Sequence, residues 1–247
     1  MKKYTLIIML FFSSLTVSFA QSSAKTLTFK SLDGLTITAD LYMTADQNAP
    51  FIILYHQARY SRGEYLEIAP KLNTLGFNCL AVDQRSGDAV NGVLNETHQK
   101  AVEKDLPTEY VDAFPDLEAT LLFVENEIKP EKIIVWGSSY SSALVFVLAS
   151  KHPAEIAGIL SFSPGNYFML DGKSVSDYAR NVNCPVFITS AKPEEDSWRP
   201  IYESLTSKDK SFFLPKDEGF HGSKALWEKN EGYENYWKAV EGFLKGI

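Results

Sequence analysis

The feature that most constrains the fold of this chain is the run from Ile133 to Ala149. Ile133-Ile134-Val135-Trp136 is apolar and rich in β-branched residues, and it stops at Gly137. A cluster of mostly small residues follows, Ser138-Ser139-Tyr140-Ser141-Ser142, and Ala143 to Ala149 is then apolar on every side. An apolar run without alternation suits a strand covered on both faces, and a helix apolar all round is buried all round. Such a unit needs structural layers on both sides of it. Gly137, Ser139 and Ser141 fall in a Gly-x-Ser-x-Gly pattern whose last position is changed. In that setting a strained serine is held above the sheet edge, a nucleophile elbow; the plain alternative is a tight strand-to-helix turn made of small residues.

The rest of the chain supplies the layers. Residues 26–30 and 35–41 flank Asp33-Gly34 and read as a hairpin. Phe51 to Tyr55, Phe77 to Val82, Ile156 to Phe162, Pro185 to Thr189 and Phe212 to Leu214 read as strands. Helical spacing marks 63–75, 114–128, a stretch around 201–205, and the amphipathic 233–244. Strands alternating with helices predict an α/β fold. It has a mostly parallel central sheet, helices on both faces and an N-terminal hairpin. With 247 residues this is one domain, spanning 21–247.

Residues 1–20 stand apart. Lys2 and Lys3 precede the apolar run Leu6 to Phe12, and Ser18-Phe19-Ala20 offers small residues for a cleavage site. This predicts a secretory signal cleaved near Ala20, an exported protein, and no stable membrane insertion afterwards. Removing it takes away two lysines and leaves 22 basic against 31 acidic residues, a net charge of −9. That excludes nucleic acid and anionic membrane as natural partners. Cys79 and Cys184 fall on strands several positions apart in such a sheet, too far for a disulfide, so both are expected as free, buried thiols.

In a parallel sheet, ligands bind beyond the C-terminal strand ends. His56-Gln57-Ala58 follow the 51–55 strand, Ser138-Ser139-Tyr140 the elbow strand, Glu194-Glu195-Asp196 the strand ending at Thr189, and Gly219-Phe220-His221-Gly222 the last strand. A serine, a carboxylate cluster and a histidine thus occur in that order, each after a different strand. A serine hydroxyl needs a neutral imidazole to take its proton, and that imidazole needs an acid to fix its tautomer. Of the four histidines, only His221 lies in the loop after the last strand.

Over essentially the whole chain after the signal, these residues and their order resemble the α/β-hydrolase fold, most closely its dienelactone hydrolase-like branch. The resemblance implies Ser139 as nucleophile, His221 as base, and an oxyanion hole from the N–H of Tyr140 and that of Gln57, with Ala58 the alternative. The His56-Gln57 pair resembles the family's His-Gly oxyanion segment with Gln in place of Gly, and Ser141 replaces the last elbow glycine. Alignment of the strand-turn-acid pattern points to Glu194 as the acid, whereas counting back from Pro200 points to Asp196. The resemblance further implies a small-molecule carboxylic ester as substrate, with no cofactor and no metal; metal-ligand spacings are absent from the sequence. An amidase or peptidase with the same three residues, or a silent ligand-binding relative, are the competing readings.

Around this centre, His56 and Arg59 are candidate substrate contacts, with Arg62 a second loop arginine nearby and Tyr140 a further contact. Tyr60, Tyr65, Tyr167 and Phe168 are candidate pocket walls. Asp83-Gln84-Arg85-Ser86-Gly87 reads as a structural turn. Residues 88–111 lack periodicity and form a candidate cap beside Ser139.

Overall fold

The computed structural model of the protein describes residues 24–247; the expected signal segment lies outside the described residues. Eight strands form one sheet: β1 (Lys25–Lys30), β2 (Thr36–Tyr42), β3 (Phe51–Tyr55), β4 (Asn78–Val82), β5 (Ile133–Ser138), β6 (Ile156–Phe162), β7 (Val186–Thr189) and β8 (Lys210–Phe213). Their order across the sheet is β1-β2-β4-β3-β5-β6-β7-β8. The β1–β2 and β2–β4 pairings are antiparallel and the other five are parallel. This is the expected mostly parallel α/β sheet with an N-terminal hairpin.

Side chains alternate across the sheet, and both faces are covered. Ile52, Leu54, Ile134, Trp136 and Leu160 point to one side. There they meet α1 (Ile68–Thr74) and α7 (Tyr233–Leu244) through Leu72, Trp237 and Val240. Phe51, Ile53, Val135 and Ile159 point to the other. They pack on α3 (Phe114–Phe123), α4 (Tyr140–Lys151), α5 (Val175–Ala179) and α6 (Glu195–Ser204) through Leu117, Leu121, Val147, Val175 and Trp198. Each such side chain is stabilising by about 1.5–3 kcal/mol on burial. This is why β3 and β5 read as unbroken apolar runs.

Register brings the strand ends level. Tyr55 pairs with Gly137, Gly137 with Ser161, Phe162 with Thr189, and Thr189 with Phe213. The loops leaving β3, β5, β6, β7 and β8 therefore start at one edge.

Two helices differ from the sequence reading. The stretch expected as a helix over 63–75 is a 3-10 turn at Arg62–Tyr65 followed by the separate α1. Pro70 sits in the first turn of α1, where its missing N–H costs nothing; a continuous helix would drive its ring into the Leu66 carbonyl. The helix expected over 114–128 ends at Phe123, and the chain widens into a π-turn at Val124–Ile128 before Lys129 turns left-handed. Cys79 is buried and Cys184 partly so, both unpaired.

The segment 88–111, expected as a cap, is held along β2. It contains a two-residue-per-strand hairpin at 89–94 and α2 (Glu96–Glu103), capped by the Asn95 side chain accepting from His98 N at 2.8 Å. Thr97 Oγ1 accepts from Thr38 N at 2.9 Å, and Glu96 pairs with Arg62 at 3.2 Å, which pins this segment to β2 and to the 3-10 turn after β3. Its far end meets the serine turn: the Tyr110 ring stacks on Tyr140 at 4.8 Å. The Asp83–Gly87 turn is structural as expected. Asp83 holds Arg62 at 2.6 Å, and Arg85 bridges Asp116 and Asp33 at 2.7 and 2.6 Å.

Candidate active site

Ser139 links β5 to α4 with φ 58° and ψ −120°. A side chain at such a φ is strained by roughly 1–3 kcal/mol and persists only where the surroundings enforce it. Three contacts do so. Ser139 N donates to Phe162 O at 2.8 Å. Ser141 Oγ accepts from Ser138 N at 3.0 Å and lies 2.7 and 2.8 Å from the Tyr55 and His56 carbonyls, to which it donates, pulling the end of β3 against the turn. At Gly137, a Cβ would stand 2.4 Å from Ser141 O, so helix and strand close only over glycine. The serine at 141 thus does more than tolerate the close packing; its hydroxyl ties two strand ends together.

The Ser139 hydroxyl meets His221 Nε2 at 2.8 Å, and His221 Nδ1 meets Glu194 Oε1 at 2.5 Å. Carboxylate on Nδ1 means that Nδ1 carries the proton, leaving Nε2 to accept from Ser139. Glu194 is itself anchored: Oε2 accepts from Ser163 Oγ at 2.6 Å and from Ala191 N at 3.1 Å. Burial raises the Glu194 carboxyl, but the hydrogen bonds from His221 and Ser163 outweigh it and hold it below its ordinary value. Asp196 is exposed in the first turn of α6 and reaches none of this. Between the two carboxylates open at the sequence level, Glu194 is the one brought to the imidazole.

Ser163 was not singled out by the sequence reading. It follows β6 directly, holds φ 57°, and accepts from Gly222 N at 2.8 Å while donating to Glu194. One hydroxyl thus couples the acid to the histidine loop. The rule used for the other strand ends, applied to Phe162-Ser163-Pro164, would have found it. Ser163→Ala is expected to lower kcat by about 10- to 100-fold, matching the 1.5–3 kcal/mol of a hydrogen bond to a charged group. Steady-state turnover beside a melting curve checks this.

The oxyanion assignment to Gln57 is corrected. Its N–H donates to Glu64 Oε2 at 2.8 Å and is not available. The next amide, Ala58 N–H, has no acceptor among the described residues, and Tyr140 N–H, first in α4, has none within its helix. Sequence could not show this, because it depends on where Glu64 comes to lie. His56 is also corrected as a substrate contact. It is fully buried, its Nδ1 lies 2.8 Å from Gln57 O, and its Nε2 accepts from Gln84 N at 3.1 Å. Burial pushes its pKa down to about 4, so it is a neutral tether for the loop. Arg62 is occupied by Asp40 and Asp83 at 3.0 and 2.6 Å, whereas Arg59 is exposed, with φ 63°. Tyr65 is core, its hydroxyl donating to Tyr55 O, and Tyr60 stacks on Trp227. Tyr110 and Tyr167 remain half-exposed near the serine turn, Tyr167 donating to Ser163 O at 2.7 Å.

A cavity of about 1160 Å³ opens beside the acid–base pair, between the loop after β8 and the start of α7. Glu194, Phe220, His221, Lys224 and Tyr236 are among its walls. Ser139 is not among them.

The strand order, the strained serine turn and the Ser-acid-His sequence of strand ends together define the α/β-hydrolase fold, and the chain has that fold. Among solved structures it is similar to a dienelactone hydrolase from Anabaena variabilis, with TM-score 0.72 and 12% identity over 92% of this chain and 99% of that one. It is also similar to the Pyrococcus furiosus esterase Pf2001, with TM-score 0.70 and 17% identity over 96% and 95%. Est1E from Butyrivibrio proteoclasticus with ferulic acid bound matches with TM-score 0.69 and 14% identity over 89% and 98%. No family model and no curated protein sequence matches the chain.

Proposed function

We propose that the protein is an exported serine hydrolase of carboxylic esters. The observation that carries this reading is the hydrogen-bonded line from Ser139 through His221 to Glu194, starting at a serine held in a strained turn. In the proposed reaction Ser139 Oγ attacks the ester carbonyl as its proton passes to His221 Nε2. The oxyanion is received by the Tyr140 and Ala58 N–H groups, each worth roughly 3 kcal/mol in such sites. His221 returns the proton to the leaving alcohol. Water then repeats the sequence on the acyl-enzyme, and the free acid departs. Glu194 stays ionised throughout and stabilises the imidazolium. The esterase and dienelactone hydrolase structures of the same fold support ester chemistry, and the ferulic acid held by Est1E makes aromatic acyl esters a suitable class to test beside short-chain ones. Residues 1–20 are proposed as the export signal.

The test is turnover of a panel of nitrophenyl and feruloyl esters together with labelling by a fluorophosphonate. Hydrolysis, with the phosphonyl adduct mapped to the peptide containing Ser139, is the expected result. An unlabelled wild-type protein that cleaves no ester in the panel overturns the reading.

A further inference from the structure

One buried acid is not used by the reaction above. Glu64, in the 3-10 turn after β3, is fully buried. Among the described residues no cation lies within ion-pair distance of it. Its oxygens face two parts of the site. Oε2 accepts from Gln57 N–H at 2.8 Å, one residue before the open Ala58 amide. Oε1 accepts from the Ser138 hydroxyl at 2.8 Å, one residue before the nucleophile. Ser138 Oγ in turn accepts from Ser223 N at 2.8 Å, two residues beyond His221. One carboxylate therefore joins the oxyanion loop, the serine turn and the histidine loop. The Trp227 indole fixes its backbone by donating to Glu64 O at 2.9 Å.

We propose that Glu64 is a positioning residue whose ionised carboxylate clamps these three loops and places a second negative charge near the imidazolium that forms at His221. This rests on the ester-hydrolase reading. The ionised form fits the hydrogen bonds, because Ser138 already accepts from Ser223 and its own proton is then directed at Glu64. The same form is costly. Burial pushes the Glu64 carboxyl up to about 7, opposed by hydrogen bonds from Gln57 and Ser138 and by the charges of His221 and Lys224. The other titratable groups facing it are Tyr60 and Tyr65 on its own segment and Tyr140 on α4. The folded state holds this proton more tightly than the unfolded chain, whose carboxyl titrates near 4.5. The stability it contributes is therefore full below about pH 4.5 and is lost as pH rises toward 7.

Function and stability are then set against each other, and Glu64→Gln separates them. The amide keeps the size and removes the charge; its oxygen can still accept from Gln57 N–H, while its NH₂ faces Ser138 Oγ, whose proton must then turn elsewhere. At pH 8 the variant is expected to lose roughly tenfold in kcat with little change in KM, the order of effect of one charge felt through a protein interior. The wild-type fall in Tm between about pH 4.5 and 7 is expected to flatten in the variant, because the group that titrates there is gone. The acid limb of the wild-type pH–rate profile should need two deprotonations and that of the variant one. A variant whose Tm falls over that pH range as the wild type's does shows that Glu64 is not the titrating group and overturns the proposal. So does a variant with wild-type kcat and an unchanged acid limb, or one in which only KM rises. If the wild type cleaves no ester and Ser139 is not labelled, the ester-hydrolase reading falls instead, and the Tm profile still reports on the buried charge.

Discussion

Ser139→Ala is expected to abolish turnover, lowering kcat by about 10⁶-fold, while leaving the fold intact. The Ser139 hydroxyl meets His221 Nε2 and interacts with the Tyr167 hydroxyl, both on partly exposed side chains, so removing it strands no fully buried donor or acceptor. Alanine keeps the Cβ that makes φ 58° unfavourable, and the surrounding contacts that enforce this geometry are made by the Ser139 backbone, by Ser141 and by Gly137. Tm should therefore stay within a few degrees of wild type. Ser139→Gly removes the Cβ as well and is expected to raise Tm, because glycine adopts this backbone conformation without strain. Ester turnover and a calorimetric melt on the three proteins check both statements. Activity surviving in Ser139→Ala would place the nucleophile elsewhere.

Glu194→Gln should lower kcat by about 10⁴-fold, with Asp196→Asn remaining within about twofold of wild type. The reason lies in the direction of protons. Ser163 O–H and Ala191 N–H both donate to one oxygen of Glu194, so the amide oxygen of a glutamine is drawn to that side. Its NH₂ then faces His221 Nδ1, which must become an acceptor, and the ring proton moves to Nε2. Nε2 in that tautomer has no lone pair for the Ser139 proton. Because Glu194 is held below its ordinary pKa, the carboxylate form should persist well into acid, and the loss in the variant should be similar across the whole range above neutrality. Single-site kinetics on the two variants decide the matter; a severe loss in Asp196→Asn with Glu194→Gln near wild type would reverse the assignment.

Most of the central framework was legible in the sequence, and the parts that were not fail for specific reasons. β3 and β5 were visible because both faces of a parallel strand are covered, which leaves an apolar run without alternation. Helix α2 was missed because its surface is mostly polar and tertiary contacts to Thr38 and Arg62 hold it in place. The same contacts hold this segment along β2. The serine and histidine were legible because they follow strand ends, and strand ends mark the ligand edge of the sheet. Ser163 obeys the same rule, but its neighbours have no recognisable pattern.

What the sequence determined by itself was the order of strands and helices, the turn at Ser139 and the presence of an acid and a base after later strands. Local covalent facts suffice for these: side-chain periodicity, the small size of Gly137, and the position of each residue along the chain. What only the tertiary structure decided was which groups hold each other. Glu194 rather than Asp196 meets His221 because the turn after β7 points one carboxylate inward and α6 carries the other out to solvent. Ala58 rather than Gln57 is left with an open amide because Glu64, seven residues on, folds back to take the Gln57 proton. A hydrogen bond forms only at a given distance and angle, and those are set by the packing of the whole sheet rather than by neighbours in sequence.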